Sequence, residues 1–180
     1  MKSSFTLIPF RPNTAPEIAI TGNINRWEHQ LQIEYQLTGK LAQILIPQPV
    51  KLPTRQYDLW QHTCLELFLG IKDTTKYWEF NLSPAGHWNI FYFNNYRQNI
   101  AEEMAFKALT FPVFFQKNTL TLNLKVNLDK IIVPQQDLAV GITAVIEDQA
   151  QQLSYWALSH LQQEADFHDR NSFLINLTGK

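Results

Sequence analysis

The sequence predicts an all-β fold, an antiparallel β-sandwich or jelly roll of about ten strands. Two observations carry that expectation. Apolar and polar residues alternate with period two over much of the chain, and the apolar runs are short and divided by Pro, Gly, Asn and Asp. The alternation is plainest in "HQLQIEYQLTG", where Leu31, Ile33, Tyr35 and Leu37 share one face and Gln30, Gln32, Glu34 and Gln36 the other. "TLTLNLKVNL" repeats it with Leu120, Leu122, Leu124, Val126 and Leu128. One dry face and one wet face mark antiparallel strands.

In chain order, "FTLIPF", "EIAITGNI" and "LAQILIP" read as strands around the Leu31–Leu37 segment. Pro47, Pro49 and Pro53 then make a long loop leading to Trp60. "DLWQHTCLELFLG" reads as a strand from Asp58 to Gly70. "KYWEFNLS" and "HWNIFYF" follow, joined by hairpin chemistry at Ser83-Pro84-Ala85-Gly86. "NNYRQNIAEEMAFKAL" allows a helical turn or two, with Ile100 and Met104 four apart, or an irregular strand. "VNLDKIIVPQQD" allows a short helical turn that Pro134 ends. "LAVGITAVIE", "LSYWALS" and "FLINLTG" complete the strands. No linker, repeat or low-complexity tract interrupts them, so one domain spanning 1–180 is expected.

Composition excludes several classes. Charged residues are 17% of the chain and hydrophobic ones 45%, which fits neither a disordered acidic chain nor a membrane span. The net charge is -1 and no Lys/Arg-rich run occurs, so neither a nucleic acid nor an acidic membrane surface is expected as partner. Cys64 is the single cysteine, which excludes an internal disulfide and a cysteine-based zinc site. The apolar run in "MKSSFTLIPFRPNTAP" is short and broken by Pro9, so it does not read as a signal peptide, and a cytoplasmic location is expected. Aromatics reach 13%, enough to ask whether some rings serve a site.

The strand at Asp58–Gly70 has two unlike faces. Thr63, Leu65, Leu67 and Leu69 are ordinary core. Trp60, His62, Cys64, Glu66 and Phe68 lie opposite, a row in which a carboxylate needs a partner if it is buried. An indole plate near a carboxylate suits a sugar: the ring stacks on the C–H face while the carboxylate accepts from neighbouring hydroxyls. Glu79, Asn81 and Arg97 are the polar residues of the following hairpin that can line a pocket, although a solvated role suits Arg97 equally. His160, Asp166, His168 and Asp169 cluster near the C-terminus. Their spacing matches no metal motif, and an Asp–His network that stiffens a loop is the alternative. Phe167, inside that polar run, is either a plug into the core or a platform for a ligand. A nucleophile elbow and a glycine-rich phosphate loop are both absent, and a thiol inside an apolar strand is inert.

"DLWQHTCLELFLG", "YWEFNLSPAGHWNIFYFNNYR" and "YWALSHLQQEADFHDRNSF" together resemble the DOMON-like domains of bacteria, which belong with the family 9 carbohydrate-binding modules in one superfamily. The resemblance implies a β-sandwich with ligand held on one side, and in the family 9 modules a sugar between two tryptophans. Trp60 stands at the first ring and Glu66 at the carboxylate six residues later. Phe167 stands where the second tryptophan would be, and Asn81 replaces an arginine that binds sugar hydroxyls.

The resulting expectation is a non-catalytic domain that binds a small polyhydroxylated ligand, a carbohydrate first of all, with no metal or cofactor. Its site residues would be Trp60, His62, Glu66, Glu79, Asn81, Arg97, Phe167, His168 and Asp169. The alternatives are a haem-binding electron-transfer domain with Met and His ligands, an enzyme using Glu66, His62 and Asp169 as acid and base, and a sandwich that only mediates protein contacts.

Overall fold

The computed structural model describes residues 2–179. Twelve strands run in chain order: β1 (Lys2–Pro9), β2 (Ile18–Trp27), β3 (Gln30–Gly39), β4 (Cys64–Ile71), β5 (Tyr77–Leu82) and β6 (Trp88–Phe93), then β7 (Ala101–Glu102), β8 (Val113–Gln116), β9 (Thr119–Asn127), β10 (Leu138–Glu147), β11 (Leu153–Ala157) and β12 (Ile175–Leu177). All strand pairs are antiparallel, in the order β7-β6-β5-β4-β10-β11-β1-β2-β3-β9-β8, with β12 added to the start of β10. β1 belongs to both layers: Lys2 to Leu7 pair with β2, while Ile8 and Pro9 pair with β11.

Period-two patterning is what closes this sheet on itself. On β3, Leu31, Ile33, Tyr35 and Leu37 are fully buried and lie opposite Val126, Leu124, Leu122 and Leu120 of β9. They meet Leu65, Leu67, Leu69, Phe80, Ile90, Val140 and Ile142 from the other layer in one continuous core. Each such side chain contributes roughly 1.5–3 kcal/mol on burial. Tyr35 is the polar exception, and its buried hydroxyl donates to the Glu66 carbonyl of the facing layer at 2.7 Å.

Of three local readings, two need correction and one open alternative is resolved. "LAQILIP" is not a strand: a single 3-10 turn occupies Leu41–Gln43, and only Ile44 bridges, to Asp148. Without a partner along its length the segment has no ladder to join. "NNYRQNIAEEMAFKAL" takes the irregular extended form, pairing as β7 over two residues against Phe91 and Tyr92. Third, β4 starts at Cys64, and the chain before it, Leu59–Gln61, is a 3-10 turn entered through a left-handed Asp58 at φ 60°. The Ser83–Gly86 hairpin forms as the sequence suggests, with Gly86 N–H donating to Ser83 O at 2.8 Å and Gly86 at φ +96°.

The layer β6-β5-β4-β10-β11 has a second, outward face that is also covered. Phe68, Tyr77, Phe91, Phe93 and Phe173 form a separate apolar cluster there, with Phe167 packed against it. This cluster positions the site.

Candidate functional site

The outward face holds a cleft of about 530 Å³. Register explains its floor. Glu66 lies opposite Asn81 and Thr143, Phe68 opposite Glu79, Glu79 opposite Phe91, and Val145 opposite Tyr155. Side chains two apart on a strand share a face, so Glu66, Glu79, Phe68, Phe91, Phe93, Val145 and Tyr155 converge on one surface. All of them line the cleft.

Two segments build its walls. On one side the 3-10 turn buries Leu59 and presents Trp60, which is 36% exposed and packs edge-on to Phe91 with ring centroids 5.8 Å apart. On the other side the segment between β11 and β12 carries Phe167, which meets Tyr155 edge-on at 5.9 Å, and His168. Two small residues let that segment sit close. A Cβ on Gly141 would come within 2.7 Å of the Phe173 ring, and one on Gly70 would strike the Arg170 guanidinium. Arg170 in turn donates to the carbonyls of Ile71, Thr74 and Lys76, tying the segment to the β4–β5 turn. Gly141→Ala is therefore expected to cost ~1–3 kcal/mol, by overpacking against a ring that is held from above. A thermal melt that leaves the midpoint unchanged would contradict this wedge.

Glu66 and Glu79 are 2% and 7% exposed. Glu66 accepts from the Thr143 hydroxyl at 2.8 Å, and Glu79 accepts from the Asn81 amide at 2.9 Å. Burial, and then the charge of Glu79, push the Glu66 carboxyl well above its ordinary range, against the Thr143 hydrogen bond. Burial likewise raises Glu79 to about 7, although the Asn81 amide and the Arg97 charge both act to lower it. His168 moves the other way: burial, then the nearby Arg97 charge, depress it to about 4, so it is neutral at pH 7.

The Tyr77 hydroxyl accepts from the Arg97 backbone N–H at 3.1 Å and lies 2.9 Å from His168 Nδ1. Burial raises Tyr77 to about 12, so the phenol stays protonated. The other ring nitrogen of His168, Nε2, lies 3.8 Å from Glu79. Arg97 is at the rim, and its guanidinium pairs with Asp166 at 3.1 Å. Tyr96 also donates to Asp166, which fastens the β6–β7 loop to the segment that carries Phe167.

Of the nine residues the sequence singles out, Trp60, Glu66, Glu79, Arg97, Phe167 and His168 line the cleft. The other three lie elsewhere. His62 is extended just before β4 and bonds Glu147 at 2.8 Å, with a side chain 65% exposed and outside the cleft lining. Asn81 is sealed below the floor, supporting Glu79. Asp169 caps the turn at Arg170–Ser172 by accepting from Asn171 N–H. His160 points away to the Ile8 carbonyl, while Asp166 accepts from the His168 backbone N–H at 3.1 Å and so stiffens the segment locally. Among the described residues no three His, Cys, Asp or Glu converge as metal ligands. Phe91, Phe93 and Tyr155, which line the cleft, and Thr143, which supports Glu66, are among the residues of the site that sequence reasoning passes over.

A haem would need two axial ligands. Met104 is exposed and outside the cleft, and both ring nitrogens of His168 face protein groups, so these residues do not assemble a Met–His pair.

No family model and no curated protein matches the sequence. Solved structures do resemble the fold. A candidate carbohydrate-binding protein from Bacteroides uniformis aligns over 98% of this chain and 85% of its own, at 11% identity and a TM-score of 0.74. A family 9 carbohydrate-binding module from Caldicellulosiruptor kristjanssonii aligns over 81% of this chain at 8% identity. Its complex with cellotriose gives a TM-score of 0.46 over 67% of that chain, and its complex with glucose 0.48 over 69%. At such identities the first of these likenesses establishes a shared β-sandwich fold, and the fold alone.

Proposed function

We propose that the cleft binds a small carbohydrate and holds it without chemical change. The observation that carries this reading is the pairing of two aromatic walls, Trp60 with Phe91 and Tyr155 with Phe167, around a floor that carries two carboxyl groups. Rings of this kind take up the apolar face of a pyranose, and a few convergent polar groups fix its orientation. The likeness to a candidate carbohydrate-binding protein agrees with it. Binding fits better than hydrolysis because Glu66 and Glu79 rise from adjacent strands of one floor. Glycosidase carboxyls flank the scissile bond from opposite sides.

The test is a panel of mono- and oligosaccharides, read by thermal shift and tryptophan fluorescence. At least one sugar is expected to raise the melting temperature, as selective binding to the native state requires. Trp60→Ala is expected to abolish the fluorescence change, since Trp78, Trp88 and Trp156 are buried and Trp27 is not in the cleft. If no sugar shifts the melt at tens of millimolar, the reading fails.

A further inference from the structure

We propose that the preferred ligand carries a cationic amine, so that among sugars the cleft selects an amino sugar over its neutral parent. This rests on the carbohydrate reading above and narrows it. The inference comes from an imbalance of charge. Glu66 and Glu79 are diagonal neighbours on paired strands, whose Cβ atoms sit within roughly 8 Å. Both are nearly sealed from solvent, and both open only on the cleft.

Neither has a fixed counter-ion. Thr143 and Asn81 give each carboxyl one neutral hydrogen bond, and His168 Nε2 is 3.8 Å from Glu79 on an imidazole that stays neutral. Among the described residues, Arg97 is the one cation that lines the cleft, and it is already paired with Asp166. The other titratable groups packed around the pair are Cys64 on β4, Tyr77 on β5, Tyr35 from the opposite layer and Tyr155 on β11. Burial raises the Cys64 thiol and the Tyr35 and Tyr77 phenols, so these three stay neutral. Buried carboxyls in that condition either hold protons or acquire a cation.

An ammonium group can be that cation. The rings of Trp60, Phe91 and Phe167 line the same cleft, and aromatic rings attract a desolvated cation through their quadrupoles. The rest of the ligand fills the remainder of the cleft as a neutral sugar would. On binding, the ammonium favours an ionised carboxylate, so a carboxyl proton leaves to solvent while the ligand keeps its own charge.

The experiment is calorimetric titration of the whole chain at pH 6.5 with 2-amino-2-deoxyglucose, glucose, N-acetylglucosamine and cyclohexylamine, in buffers of different ionisation heat. The amino sugar is expected to bind at least ~10-fold more tightly than the two neutral sugars, as a hydrogen-bonded buried charge pair allows. Its binding should release up to about one proton, by linkage, and the neutral sugars should release none. Glu66→Gln should remove most of the preference, and Glu79→Gln provides the same test should the first variant fold poorly. If the amino sugar and glucose bind alike, or the preference survives both variants, this inference falls and the carbohydrate reading stands. If cyclohexylamine binds and no sugar does, the amine preference stands and the carbohydrate reading falls. If none of the four binds, both fall.

Discussion

The ligand-free chain is expected to lose stability as pH rises from about 5 to 8, and the Glu66→Gln/Glu79→Gln double variant to lose most of that slope. The sign follows from proton counting. In the unfolded chain both carboxyls titrate near 4.5, whereas in the folded chain Glu79 titrates at about 7 and Glu66 well above its ordinary value. Between 4.5 and those folded values the native state binds more protons than the unfolded state, so stability falls with rising pH. For Glu79 alone the shift from 4.5 to about 7 corresponds to about 3 kcal/mol.

His168 works against this in the acid half of the window. Its folded value of about 4 lies below the ordinary 6.5, so the unfolded chain binds the extra proton there, and stability rises with pH until about 6.5. The two effects partly offset below pH 6.5, and the carboxyls act alone above it. The decline should therefore steepen above about pH 6.5. Denaturant melts across the range read this directly. A flat profile from about pH 6.5 to 8 would mean that both carboxyls are ionised and solvated in the native state, and the sealed floor would be wrong.

The same residues show what a sequence can reveal. Where one face is dry and the other wet, as on β3 and β9, alternation identifies strand and core together. β8 passes unnoticed because Val113–Gln116 is an edge with two exposed phenylalanines and no alternation. The six-residue step from Trp60 to Glu66 does lead into one cleft, but through a turn instead of along a strand, and His62 between them is drawn to Glu147 outside it.

Phe91 and Phe93 were within reach. The Ser83–Gly86 turn fixes the β5–β6 register, and that register sets Phe91 opposite Glu79 and Phe93 opposite Tyr77. Thr143 was not. Its contact with Glu66 joins strands 77 positions apart, and nothing local to either strand specifies it.

Phe173→Ala is expected to destabilise the chain by ~3–5 kcal/mol and to remove sugar binding with it, as loss of a buried aromatic ring implies. For a chain of this size each kcal/mol lowers the melting temperature by roughly 2–4 °C, so the shift should exceed about 6 °C. Phe173 is buried on the face of Gly141, packs against Phe68 at 5.6 Å and Tyr77 at 6.1 Å, and lies under the Arg170 guanidinium at 5.2 Å. Removing the ring opens a cavity below the segment whose other residues, Phe167 and His168, form one wall of the cleft. Phe167→Ala should behave differently. That ring is only half-buried, at the margin of the apolar cluster, with an edge contact to Tyr155. Its removal should cost no more than roughly 1–2 kcal/mol, the lower part of the range for burying such a ring, while weakening any sugar response. The pair of melts thus separates a ring that holds the wall in place from one that faces the ligand. If Phe167→Ala lowers the melting temperature as far as Phe173→Ala, Phe167 is a core plug and the second aromatic wall is lost from the carbohydrate reading.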